Sequence, residues 1–378
     1  MPENKKQHYI PQFYLKNFSD DGNHINVYHL ESGTDFLSPI KSTCQSKYFY
    51  GKDTEFEKAL SDIERYQADV IKKIVENQSV TCLSKDEIFT LLTFFTLQIT
   101  RTKEAKIIAD NFTNLISEKI FKPMMNARAV SDGKPPRYFD SIRIENPEYY
   151  KFIMGSSLTG TWGITDLKPI LIVNNTGTPF ISSDSPVVKN NYFRIKNDNL
   201  TGMQSPGLQM FCPLSDKLLL LLIHEDAYVI LGESNSIINL TNESDIDNIN
   251  RLHLLNALDI ILFINSKDVK YIQRLQLETV KIKTKKQYVI DSIKKTSNPD
   301  GGKEILHIHS EGINYGIHIS VIKMNHDYNR KFKRQCELTL KDSPVVQPYR
   351  SKVLIDKMHS EFERFTKKSK STVNGSSL

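Results

Sequence analysis

A chain of 378 residues with 39% hydrophobic and 25% charged residues, 16 Gly and 15 Pro has room for one elaborated domain or two, and is neither collagenous nor disordered. The longest aliphatic run, Leu218 to Ile223, is far short of the roughly 20 residues of a spanning helix, and MPENKKQHYI lacks a signal-peptide core, so a cytoplasmic protein without a membrane partner is expected. Net charge is +6, but residues 281–378 hold 20 Lys and Arg against 10 Asp and Glu, a balance of +10 that leaves −4 for the first 280 residues.

The opening QHYIPQFYLKNF puts Pro11 where a short helix can begin, because the first turn does not need its missing N–H; His8 precedes that helix and Gln12 lies inside it. After a turn at Asp20 to Asn23, the alternation of HINVYHL predicts a strand, and SKYFYG (46–51) is a second candidate. From Glu55 to Asn77, Phe56, Leu60, Ile63, Val70 and Ile74 recur at helical spacing, with Gln67 on the same stripe. Ser84 and Glu87 form a capping box ahead of a segment, Ile88 to Ile99, that is apolar almost all round and so expected to be buried mid-domain. Helical pattern resumes from Ile107 to Phe121, and Lys134 to Tyr150 reads as an irregular connection.

Beyond Trp162 the period shortens. LKPILIVNN, TPFISSDSPVV, MFCPLS and KLLLLLIHE read as strands, Ser244 to Asn256 as a helix and DIILFIN as a further strand. A hairpin is expected next, with Leu306 and Ile308 facing the same side as Ile317, Ile319 and Val321, a loop over 310–316, and His307 across from His318. Lys352 to Lys368 reads as a last amphipathic helix. The order predicts an α+β fold: a helical half with a central buried helix, then a mainly antiparallel sheet, plus a basic C-terminal extension. The core then covers 1–280, mostly helical over 1–150 and sheet-rich over 160–280, and the extension covers 281–378.

There is no GxxxxGK, no GxGxxG after a strand, no HExxH and no GxSxG, which disfavours P-loop NTPases, dinucleotide oxidoreductases and common hydrolases. Cys44, Cys82, Cys212 and Cys336 lie far apart without a CxxC pair, as expected of buried thiols. Glu57 and Glu64, two helical turns apart, fit either a divalent-metal or acid/base pair or a solvated helix flank. Gln98 and Arg101 end an otherwise apolar helix, where a buried arginine needs a carboxylate such as Glu64 or Asp184. Ser183 and Asp184 follow a strand end and fit either a site or a turn in which Asp184 binds backbone N–H groups. His8 is the best proton carrier. His307, His309 and His318 fit a solvent- or nucleic-acid-facing strand or a transition-metal set. The basic clusters KIKTKK, RKFKR and KKSKS, near Tyr288, Phe332 and Tyr349, suit a phosphate backbone or a solvated surface.

QHYIPQFYLKNF, EFEKALSDIE, LQITRT and FISSDSP together resemble a bacterial family of unknown biochemical function whose members begin His-Tyr-x-Pro-Gln-x-Tyr-Leu-x-Asn-Phe, over roughly residues 5–275. The matching polar positions are His8, Gln12, Glu57, Glu64, Gln98, Arg101, Ser183 and Asp184. Members of that family serve as single-gene antiphage defence proteins, and the resemblance implies the same role here. One chain must then both sense infection and do damage. The leading expectation is a toxic effector, a nuclease or other phosphoester hydrolase acting on nucleic acid or nucleotides. In it His8 is the acid/base, Arg101 the charge stabiliser, and Glu64 and Asp184 are base or divalent-metal ligands, with His8, Glu64, Arg101 and Asp184 in one pocket. The alternatives are a noncatalytic sensor that captures a phage component or RNA, its polar cluster a buried network, and an RNA-binding toxin that works through the basic tail.

Overall fold

The computed structural model describes residues 6–52, 54–142, 147–195, 198–199, 202–280, 282, 287–293, 305–311, 315–333, 360 and 364. The fold is α+β. Strand β1 (Lys6–His8) leads into the short helix α1 (Gln12–Lys16), then the hairpin β2 (His24–His29) and β3 (Thr34–Pro39), and β4 (Gln45–Lys47), which pairs back on β1. Helices α2 (Thr54–Asn77), α3 (Lys85–Thr100), α4 (Lys103–Ile116), α5 (Lys122–Ser131) and α6 (Pro147–Gly160) follow. The capping box forms at Ser84, whose hydroxyl accepts the Glu87 N–H at 3.3 Å while Glu87 accepts the Ser84 N–H at 2.7 Å. The apolar α3 is the expected central helix, burying Leu91, Leu92, Phe94, Phe95 and Leu97.

The sheet-rich half contains β5 (Lys168–Asn174), β6 (Ser182–Ser183), β7 (Val188–Asn191), the small pair β8 (Arg194–Ile195) and β9 (Asp198–Asn199), β10 (Leu208–Pro213), β11 (Leu218–Ile223), β12 (Tyr228–Ile230), β13 (Ile237–Leu240), helix α7 (Glu243–Asn256), β14 (Ile260–Phe263) and helix α8 (Val269–Thr279). The main sheet has the order β13-β5-β11-β10-β7 and is antiparallel except where β13 joins β5. Its faces serve different cores: Leu218, Leu220 and Leu222 pack with α1, α3 and α6, while Leu219, Leu221 and Ile223 pack with α7. Burial on both faces explains the unbroken leucine run of β11. The second sheet, β3-β2-β14-β6, ties the N-terminal hairpin to the later half of the chain.

Three expectations change. Strand β16 (Ile305–Glu311) pairs antiparallel with β15 (Gln287–Ile293), so His307 is in register with Asp291 and not with His318. Alternation fixes which residues share a face, not which strand they meet. The segment with Ile317 and Ile319 lies in the core beside α7 instead. SKYFYG leaves the ladder at Lys47 and turns through Tyr48, whose φ is +52°. Helix α6 begins at Pro147, inside the expected irregular stretch. Of the helix expected over Lys352 to Lys368, only residues 360 and 364 are described, and both are helical. The basic clusters KIKTKK (281–286) and KKSKS (367–371) lie outside the described residues except for Ile282.

His253 on α7 is fully buried, and neither ring nitrogen meets a hydrogen-bond partner among the described residues. Burial pushes its pKa from 6.5 down to about 3. Below pH 6.5 the unfolded chain takes up this proton while the folded one resists, so stability falls as the pH drops towards 3. His253→Leu removes an unpaired polar group and is expected to add about 1–3 kcal/mol at pH 7, and to flatten the acid limb of stability between pH 6.5 and 4. Urea unfolding at both pH values checks this; an unchanged acid slope would remove His253 as its source.

Candidate functional site

Arg101 caps the C-terminus of α3, and Thr102 caps the N-terminus of α4, its hydroxyl accepting the Ala105 N–H at 3.1 Å. This two-residue break turns the arginine inward, where it is 3% exposed. Its Nε donates to Tyr50 Oη at 2.6 Å, and its Nη2 donates to the His8 carbonyl at 2.8 Å and lies 2.5 Å from Glu64 Oε1. Tyr50 Oη donates to the same carbonyl at 2.8 Å. Burial works against the guanidinium charge, but Tyr50 and Glu64 outweigh it and raise the pKa further, so Arg101 is a permanent cation. Burial in turn pushes the Tyr50 phenol up to about 12.

Two glutamines brace this core. Gln7, buried by the alternation of β1, donates to Glu57 Oε2 at 3.3 Å and to the Gly51 carbonyl at 3.1 Å, and accepts the Tyr50 N–H at 2.7 Å. Gln98 donates to the Tyr9 carbonyl at 3.1 Å. Aromatic rings close one side: Tyr50 stacks on Tyr150 with centroids 6.4 Å apart, and Lys106 lies 4.9 Å from the Tyr150 centroid. The His8 imidazole is held below its usual pKa by burial and the Arg101 charge, against the Ile40 backbone bond and Glu64 and Glu57. Its Nε2 is buried without a partner among the described residues, as is Nη1 of Arg101.

The structure thus brings together His8, Glu57, Glu64, Gln98 and Arg101. Asp184 is engaged elsewhere: Oδ1 accepts the Leu258 N–H at 2.8 Å, and Oδ2 accepts those of Asp259 and Ile260 at 2.7 and 3.2 Å. Burial pushes its carboxyl up to about 6, with those bonds pulling the other way. Its charge acts on Tyr9 and Cys44, one residue beyond His8 on the chain in the case of Tyr9. Ser183 accepts the Ser185 N–H and donates to the Ser185 carbonyl, both at 3.1 Å. These bonds are those of the turn expected for SSDSP, in which Asp184 holds the backbone of residues 258–260. Gln12 is exposed on α1 and has no part in the network described above. Among the described residues no three His, Cys, Asp or Glu side chains gather as a metal set; Glu64 is paired with Arg101, and Asp184 with three backbone N–H groups. Gln7 and Tyr50 were missed, although the alternation of β1 carries a signal for Gln7.

The molecule is an α+β protein with a cluster of buried Arg101 and half-buried Glu64 and His8 where β1, α2 and the α3–α4 break meet. Residues 6–268 match the family model described as protein of unknown function (DUF4238), and the chain belongs to that family. No curated protein and no solved structure matches it. Among the described residues no helix is long and apolar enough to cross a membrane.

Proposed function

We propose that this protein is an antiphage defence effector that hydrolyses nucleic acid or nucleotides at the His8–Arg101 cluster. One observation carries the reading: His8 Nε2 and Arg101 Nη1 are both buried with unspent hydrogen-bonding capacity beside one shared network. An unpaired buried polar group costs about 1–3 kcal/mol, and a ligand that pairs both atoms recovers that cost. In the proposed step water attacks phosphorus and gives its proton to His8 Nε2, the guanidinium steadies charge on the phosphoryl oxygen, and the P–O bond breaks with its electron pair going to the leaving oxygen, which takes a proton from solvent. Glu64 keeps Arg101 placed, and Glu57 acts on His8 through its charge. Exposed Arg330, Lys331 and Lys333 supply part of the positive face for a nucleic-acid partner, and a phage component is the proposed trigger.

A second reading, a noncatalytic capture protein, draws support from the near-complete burial of Arg101 and its ion pair with Glu64. The test induces the protein at low level during infection and follows RNA, DNA and nucleotide pools, with His8→Ala as control. The hydrolase reading expects pools to fall with the parent protein and to hold with His8→Ala, whose protection is lost. Intact pools beside full protection, unchanged by His8→Ala, leave capture as the better account.

A further inference from the structure

Residues 315–319, beyond the family match, run without a strand ladder, with Ile317 and Ile319 buried and His318 and Ser320 exposed in alternation. Side chains of the family core read their main chain. Asn190 on β7 donates to the Ile317 carbonyl at 3.0 Å and accepts the Ile317 N–H at 3.1 Å. Tyr192 Oη accepts the Ile319 N–H at 2.7 Å. From α7, Asn248 donates to the His318 carbonyl at 3.0 Å and Asp245 accepts the Ser320 N–H at 2.8 Å. A further bond, from the Ser320 hydroxyl to Asp245, uses a side chain of the segment. Ile317 and Ile319 meanwhile join the core cluster of Phe211, Leu221 and Ile249.

A groove that pairs with N–H and C=O groups and offers apolar space at alternate positions recognises an extended peptide with little regard to its other side chains. We propose that the groove between β7 and α7 is a docking site for an extended peptide of another protein, one with aliphatic residues at alternate positions, and that residues 315–320 fill it in that peptide's absence. The occupant's chemistry is written in the segment now seated there. Exchange is feasible because an incoming main chain reproduces the main-chain bonds that the resident makes. The ladder of β12 with β17 (Ile322–Met324), together with buried Phe332, keeps the displaced chain attached. This site is separate from the Arg101 cluster and stands whether or not that cluster is catalytic.

Two measurements test the proposal on the full chain. In the first, hydrogen exchange of the parent protein compares the amides of Ile317, Ile319 and Ser320 with those of β10 and β11. Segment amides exchanging about a hundredfold faster than the sheet are expected, since a resident that yields must open without global unfolding. Exchange at one common rate makes the segment a fixed part of the core and overturns the proposal. In the second, a labelled peptide of residues 315–324, YGIHISVIKM, is titrated into the parent and into Ile317→Asp/Ile319→Asp, which vacates the groove. Binding to the double variant roughly tenfold tighter than to the parent is expected, and none for the peptide carrying the same two aspartates. A folded double variant that ignores the peptide overturns the proposal, as does a new dimer on light scattering in place of peptide binding. If the double variant does not fold, the exchange rates alone decide.

Discussion

Replacing Arg101 with alanine is expected to destabilise the protein by about 3–5 kcal/mol, seen as a large fall in the urea midpoint with the slope unchanged. The guanidinium is shared by Tyr50 Oη, the His8 carbonyl and Glu64, and it ties β1 and α2 to the end of α3. Its removal leaves the carboxylate without its cation and the His8 carbonyl dependent on the Tyr50 hydroxyl. Glu64→Gln should cost far less, because the Glu64 side chain is 25% exposed and water can take over part of its role. Arg101→Lys keeps the charge but not the planar fork, and should fall between the two. A midpoint unmoved by Arg101→Ala would mean that the network does not hold the fold. Lost protection in Arg101→Ala thus reports on folding as much as on chemistry. His8→Ala keeps the backbone carbonyl that the network uses, which makes it the cleaner probe of the proposed base.

The sequence carried the helices and strands further than their partners. Capping chemistry and helical spacing located α2 and α3, and apolar runs located β5, β10, β11 and β14, because these signals are local. Strand pairing is not local. Leu306 and Ile308 alternate in the same way as Ile317 and Ile319, so either stretch suited either partner, and the ladder with residues 287–293 was not visible. The site divided along the same line. Glu64 and Arg101 were legible as a pair because a buried cation requires a carboxylate, and of the two carboxylates considered Glu64 is the one found. Gln7 and Gln12 sit in the same opening string; only the alternation of β1 turns Gln7 inward, while Gln12 begins α1 on its exposed side.

Asp184→Asn is expected to destabilise the folded state by about 2–4 kcal/mol at pH 7, since one carboxylate serves the backbone N–H groups of Leu258, Asp259 and Ile260. An amide places its own N–H₂ against at least one of those donors, leaving it unpaired in a buried turn. The pH dependence has a definite sign. The folded pKa is raised from 3.8 to about 6, so the stability linked to its protonation is complete below 3.8 and is lost as the pH rises through 6, leaving the three N–H bonds at pH 7. The amide of the variant cannot titrate, so the gap between parent and variant should widen by roughly 2 kcal/mol from pH 7 to pH 4, the full equivalent of that pKa difference being reached only below 3.8. His253 is common to both proteins and cancels from the comparison. Urea unfolding of the pair at both pH values reads the gap directly, and a gap that narrows on acidification would mean that the three N–H bonds outweigh burial and hold the carboxyl below its ordinary range.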